Sequence, residues 1–292
     1  MRVLNFGSLN VDHVYRLPHI VRPGETQGSA SYARFPGGKG ANQSVALARA
    51  GAAVWHAGMV GPESAWLRAR LAGDGVRTEF IRIDDEPGGH AIIQVEEDSG
   101  QNSIVLYGGA NQRIAPEHMM QALAAFTPGD VLLLQNEINA TAALIRRGHT
   151  AGLRVCLNPA PMDPTVLDFP LDLLDLLIVN EHEGEALSGE TAPERILDAL
   201  AAKLPQTRLC LTLGKDGVGF REVGGSTIFQ PASAHQAVDT TAAGDTFIGY
   251  FLAGELAGKT IPEALAYASE AAGLSVTRPG AMDSIPWASE LA

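Results

Sequence analysis

The chain has 292 residues, 46% of them hydrophobic and 18% charged, enough for one large α/β domain whose core stands alone. A net charge of −12 excludes general nucleic-acid or membrane-surface binding, but leaves room for an anionic ligand held by local N–H groups and one or two cations. Cys156 and Cys210 sit in apolar runs and read as buried free thiols. The N-terminus turns polar too early for a signal peptide, and no apolar run approaches the ~20 residues of a membrane span, so a cytoplasmic protein is expected.

Short apolar runs alternate with longer helical patterns, which predicts a parallel sheet with crossover helices. The first strand is expected over Arg2–Leu9. Just beyond it, Asn10 and Asp12 lie two apart in extended chain, where they point the same way toward a polyhydroxylated ligand or, equally, shape a turn. Ser29–Phe35 reads as a strand outside the alternation. Pro36-Gly37-Gly38-Lys39-Gly40-Ala41-Asn42 then leads into a helix over Gly40–Ala50. This is not a Walker A loop, because Lys39 is followed by Gly40 rather than Ser or Thr, yet the turn suits a sugar flanked by Lys39 and Asn42. After a strand at Ala53–Val60 and a helix at Ala65–Leu71, the runs His90–Glu97 and Ser103–Tyr107 read as antiparallel strands joined through Asp98-Ser99-Gly100. With Ser29–Phe35 they predict a small sheet inserted at about 11–36 and 88–108 of a single 1–292 domain, either a flap over a cleft or a hairpin without a role.

The alternation resumes with helices at Glu117–Phe126, Ala140–His149 and Glu194–Leu204, and strands at Val131–Gln135, Arg154–Leu157, Leu176–Val179 and Leu209–Leu213. Gln135-Asn136-Glu137 and Asn158 leave polar groups at the carboxyl edge of the sheet, where ligands bind in open α/β folds. Glu181 and Glu183 either orient Mg²⁺ through water or open a solvated helix. Thr212-Leu213-Gly214-Lys215-Asp216-Gly217 is a glycine turn open enough for a phosphate chain or an adenine, without Rossmann spacing.

Most informative is Asp239-Thr240-Thr241-Ala242-Ala243-Gly244-Asp245-Thr246-Phe247, which joins an extended run to a helix over Thr246–Leu256; a last helix is expected over Pro262–Ser275. Small residues let backbone N–H groups close around an anion at the helix start. A carboxylate, Asp245, inside such a turn suits the removal of a proton from a hydroxyl attacking a phosphate, although helix capping explains the same residue types.

Taken together, Gly7-Ser8-Leu9-Asn10-Val11-Asp12, Gly37 to Gln43, Asn158-Pro159-Ala160-Pro161, Asn180-Glu181-x-Glu183, Asp239 to Phe247 and Val276-Thr277-Arg278-x-Gly280-Ala281 occur in the order seen in ribokinases. The chain resembles the PfkB-type carbohydrate kinases over nearly its whole length. The resemblance implies a three-layer α/β/α fold with a mostly parallel sheet and a small β-sheet lid, and an ATP-dependent kinase acting on the primary 5-hydroxyl of D-ribose or a close pentose. It implies Asp245 as base and the backbone of Ala242, Ala243 and Gly244 as anion hole. Asn10, Asp12, Gly38, Lys39, Asn42 and Glu137 would hold the sugar. Asn180, Thr212, Gly214, Lys215, Gly217, Gly244 and Ser269 would line the ATP site, with Glu183 acting on Mg²⁺ through water. Asp239, Thr241, Ser275, Arg278, Gly280 and Ser284 would form a K⁺ loop, and the lid would clasp a second subunit in a homodimer.

Departures from the family pattern occur at Pro62-Glu63-Ser64-Ala65-Trp66, where Trp66 replaces a small residue, at Ser269 beside the adenine, and at Pro279, Met282 and Asp283 in the cation loop. A nucleoside, 2-deoxyribose or ketohexose kinase on the same scaffold, or a catalytically idle sugar-binding regulator, are the alternatives.

Overall fold

The computed structural model describes residues 1–291. The chain passes from β1 (Val3–Phe6) directly into β2 (Asn10–Leu17) and β3 (Ser31–Gly37), and returns through α1 (Lys39–Arg49), β4 (Val54–Val60), α2 (Trp66–Gly73) and β5 (Arg77–Ile83). It leaves again as β6 (Gly89–Glu96) and β7 (Asn102–Tyr107). The second half runs α3 (Pro116–Leu123), β8 (Val131–Gln135), α4 (Thr141–Thr150), β9 (Arg154–Asn158), β10 (Leu176–Asn180), α5 (Glu181–Ser188), α6 (Pro193–Lys203) and β11 (Arg208–Thr212). A hairpin of β12 (Val218–Arg221) and β13 (Thr227–Gln230) precedes α7 (Ala243–Leu256) and α8 (Ile261–Ser275).

Nine strands form the main sheet in the order β13-β12-β11-β10-β9-β8-β1-β4-β5, parallel except for the edge hairpin. Helices cover both faces, which is why its central strands are apolar on both sides. Val3, Leu133 and Cys156 face the layer of α1, α2, α7 and α8, while Leu4, Leu132 and Leu157 face α3 to α6. This is the parallel sheet with crossover helices that the alternation predicts, in the three-layer α/β/α arrangement that the family resemblance implies, and both cysteines are buried and free. No helix among the described residues is long and apolar enough to cross a membrane.

The small sheet has the order β3-β2-β6-β7, with β2 antiparallel to β3 and parallel to β6. The expected strand Arg2–Leu9 is shorter here, β1 stopping at Phe6, and β2, which begins at Asn10 and belongs to the small sheet, was not among the expected strands. β2 carries Asn10, Asp12, His13 and Arg16 among its eight residues, so no apolar run marks it as a strand. The sequence reading also lacks β5, whose charged residues alternate along an edge, the glycine-flanked hairpin β12–β13, and α5, which begins without a loop after β10.

One helix contact sets the geometry of the site. Gly249 of α7 lies against α1, and a β-carbon there would fall 2.4 Å from that of Ala46. Asp245 lies one turn before Gly249 and Asn42 one turn before Ala46, so the close crossing brings the first turns of both helices together.

Candidate active site

Asp245 is buried in the first turn of α7. Its oxygens are not spent on its own helix: Asn42 Nδ2 donates to Oδ2 at 3.0 Å and Gln43 Nε2 to Oδ1 at 2.9 Å, both from α1. Capping is therefore not its role. Ala242 caps this helix instead, in the left-handed region at φ 60°, with no side-chain bond. Among the described residues, the N–H groups of Ala242, Gly244 and Asp245 have no protein acceptor, whereas Ala243 donates to the Thr240 carbonyl at 3.2 Å. The set of free amides is thus shifted from the expected Ala242–Gly244 run, because the turn itself uses Ala243.

Burial raises the Asp245 carboxyl above its ordinary value; Lys39 and the two amides oppose this. Burial pulls the Lys39 ammonium down, but Asp245, Glu137 and Glu183 around it prevail and raise it overall, so it stays charged. Asn42 Oδ1 is buried with no partner, an acceptor left for an incoming hydroxyl.

The turn before α1 explains the glycines of the sequence. Gly38 has φ 93°, and a β-carbon there would press within 3.1 Å of the Asn10 nitrogen and the Ser8 oxygens. Glu137 accepts from the Lys39 N–H at 2.9 Å and from the Ser8 hydroxyl, fastening this turn to the segment after β8. Asn10 Oδ1 accepts from Asn111 Nδ2 at 2.8 Å, and Asn111 also bonds both the N–H and the carbonyl of Leu9. Burial, then the nearby Glu137, pushes Asp12 up to about 6. Pro62-Glu63-Ser64 forms a 3₁₀ turn in which Glu63 accepts from the Gly88 N–H at 2.6 Å, so this departure pins the foot of β6 while Trp66 lies half exposed.

Asn180 and Glu183 form a reciprocal capping box at the start of α5, with bonds of 2.9 and 3.0 Å. Glu183 is buried and not part of a solvated helix face; Glu181 is exposed, so the two carboxylates do not act as a pair. Thr212 is paired in register with Asn180. Gly214 and Lys215 are exposed on the next turn, Gly217 takes φ 104°, and Ser269 is buried in α8. Asp239 accepts from the N–H and hydroxyl of Thr241 and from the Gly280 N–H at 2.8 Å, which brings those three together. Burial works against its charge, yet these bonds hold its carboxyl below the ordinary range. Ser275 and Ser284 hydroxyls bond carbonyls in their own segments, and Arg278 turns outward to Glu290.

Ser8, Gln43, Asn111, Gln135 and Asn158 support the site without having been assigned roles from the sequence. Gln135 donates to Gln43 Oε1 at 2.6 Å, and Gln43 also donates to Asn158 at 3.3 Å. The available signal was a polar residue closing an apolar strand on the parity that faces α1.

An α/β/α sheet that gathers a buried carboxylate and unpaired amides at a helix start, beside a cluster of hydroxyl-binding groups, has the layout of a small-molecule kinase. The pattern described as pfkB family carbohydrate kinase matches residues 2–288. The ribokinase of Haemophilus influenzae is 37% identical over 289 residues, spanning 96% of this chain and 94% of its own. A ribokinase from Cryptococcus neoformans var. grubii serotype A in complex with ADP superposes with a TM-score of 0.87 at 36% identity, over 99% of this chain and 98% of its own. Arabidopsis thaliana ribokinase complexed with ribose and ATP gives 0.88 at 30% identity, over 99% and 96%. The chain belongs to the pfkB family of carbohydrate kinases.

Proposed function

We propose that this protein is an ATP-dependent kinase that phosphorylates the primary 5-hydroxyl of D-ribose or a close pentose. The observation that carries the reading is the Asp245 carboxylate, buried and aimed by Asn42 and Gln43 beside the unpaired amides of Ala242 and Gly244. The names of the relatives and the ribose-and-ATP complex of the Arabidopsis enzyme support ribose over other sugars.

In this reading the sugar hydroxyl rests against Asp245, which takes its proton as the oxygen bonds the terminal phosphorus of ATP and the bond to the leaving ADP oxygen breaks. Burial makes Asp245 a stronger base than a surface aspartate, and Lys39 opposes that rise. Negative charge on the phosphoryl oxygens is met by the free N–H groups and the start of α7. Asn10, Asp12, Gly38, Lys39, Asn42 and Glu137 hold the sugar, the orphan Asn42 oxygen gaining a hydroxyl donor. Asn180, Thr212, Gly214, Lys215, Gly217 and Ser269 line the nucleotide side.

Mg²⁺ accompanies the triphosphate and, when bound, neutralises part of its charge. Glu183 suits a role toward it through water, being a buried carboxylate fixed by Asn180 within the field of Lys39 and Asp245. A monovalent cation, K⁺, is assigned to the loop of Asp239, Thr241, Ser275, Arg278, Gly280 and Ser284, where Asp239 keeps its charge without a basic partner among the described residues and the Arg278 side chain is turned away to Glu290. A homodimer through the small sheet is supported by its exposed apolar residues Phe35, Ile92, Ile104, Val105 and Leu106. The unpaired, buried Cys156 and Cys210 agree with a cytoplasmic setting.

A panel of pentoses, hexoses and nucleosides with ATP, Mg²⁺ and K⁺, read by ADP release, tests the proposal. Ribose is expected to give the highest kcat/KM; absence of turnover on every acceptor refutes it.

A further inference from the structure

We propose that Gln43 is a positioning residue of this kinase: its amide aims and tunes the Asp245 carboxylate, and a one-way hydrogen-bond relay from His56 fixes which end of that amide faces the base. The inference rests on Asp245 acting as the base.

The relay lies in a polar stripe beneath α1. Asn5 pairs in register with His56, and Gln135 with Asn158; Asn5 lies opposite Leu133, so the two pairs share one face of the sheet in neighbouring registers. Each bond direction follows from a group that has only one choice. A carbonyl can only accept, so His56 Nε2 carries the proton it gives to the Gly7 carbonyl at 3.2 Å. Burial pushes His56 down to about 3, so the ring is neutral and its Nδ1 must accept from the Ser44 hydroxyl at 2.8 Å. Ser44 Oγ then accepts from Asn5 Nδ2 at 2.8 Å, and the same nitrogen gives to the Gly40 carbonyl at 2.7 Å. This leaves Asn5 Oδ1 to accept from Gln135 Nε2 at 3.0 Å, and Gln135 Nε2 also gives to Gln43 Oε1 at 2.6 Å.

Gln43 therefore has its nitrogen toward Asp245. A second constraint agrees: Asn158 gives its nitrogen to the Ile178 carbonyl at 3.1 Å, so its oxygen must accept from Gln43 at 3.3 Å. A flipped Gln43 would set its oxygen against the Asp245 and Asn158 oxygens, and its nitrogen against that of Gln135. The amide thus presents a donor to the base without carrying charge or touching solvent. The charged groups that also face Asp245 are Lys39 of α1, Glu137 beyond β8 and Glu183 of α5.

The test is the pH dependence of kcat at saturating ribose and ATP, which reports groups in the bound complex. Gln43→Met keeps the volume but removes the donor, and its acid limb is expected to move to higher pH by about one unit. Gln43→Glu keeps the acceptor toward Gln135 but makes two carboxyls share a proton, and is expected to move the limb further. Gln135→Met, which touches neither base nor ligand, is expected to shift it in the same direction by less, by freeing Gln43 to turn. An unmoved limb in folded Gln43→Met overturns the proposal. If that variant fails to fold, an unmoved limb in Gln43→Glu does so. Asp245→Asn separates the two readings: loss of turnover there with unmoved limbs removes the relay alone, whereas normal turnover there removes the base.

Discussion

Replacing Gly249 by alanine puts a methyl carbon 2.4 Å from Ala46 Cβ and 2.8 Å from the Leu47 nitrogen. Neither is the end of a flexible side chain, so the helices themselves must move. Carbon atoms pack at about 3.5–4.0 Å, which requires α1 and α7 to part by roughly 1 Å. Bonds of 3.0 and 2.9 Å from Asn42 and Gln43 to Asp245 then stretch to about 4 Å, beyond hydrogen-bond range. Overpacking of this kind costs about 1–3 kcal/mol. A displacement of roughly 1 Å at a reacting group costs about 10²-fold in rate. Turnover is therefore expected to fall about 100-fold while the melting temperature drops by only several degrees. The assay pairs kcat at saturating ribose and ATP with a thermal melt. Gly73→Ala is the control, since a β-carbon there meets nothing within 4 Å and the site is distant in the chain. Full kcat in a folded Gly249→Ala protein refutes the idea that helix spacing sets the base.

Asp245→Asn is expected to lower kcat by about 10²–10⁴-fold with ribose affinity changed little, measured by single turnover and calorimetry. His56 accepts a proton near 6.5 when unfolded but only near 3 when folded, so the unfolded state binds more protons between those values and stability falls as pH drops through them. At pH 5 this amounts to about 2 kcal/mol, and urea melts at pH 7 and 5 should differ less in His56→Asn than in the parent. Asp12 is raised to about 6 and loses its charge below that pH, so kcat/KM for ribose should fall on acidification there, and Asp12→Asn should abolish this limb. K⁺ is expected to raise activity over Na⁺ through the Asp239 loop; equal rates in the two salts discard that site.

The sequence made the central sheet readable because both of its faces are covered and its strands are continuous apolar runs, whereas β5 and the β12–β13 hairpin lie at the edges and lack that signal. Asp245 and Asn42 were legible from motif chemistry. Gln43 was visible only as part of a motif, because the meaning of an amide depends on which donors and acceptors surround it, and those come from strands far away in the chain. Gln135 and Asn158 were read as polar groups at the sheet edge, while packing turns them into buried members of one row. The free amides were misplaced by one residue, since which N–H a tight turn consumes follows from φ and ψ rather than residue type.

In the proposed function the sugar is held from two parts of this molecule. Asn10 and Asp12 ride on β2 of the small sheet, whereas Asn42, Gln43 and Asp245 are locked to the helices of the body. The two parts meet at Gly7-Ser8-Leu9, where Asn111 clamps both backbone groups of Leu9 like a hinge pin. On the proposed roles, a tilt of the small sheet beyond that pin would carry Asp12 away from the sugar while Asn10 stays tied to Asn111 and Asp245 stays bonded to α1, so release of product would leave the base in place.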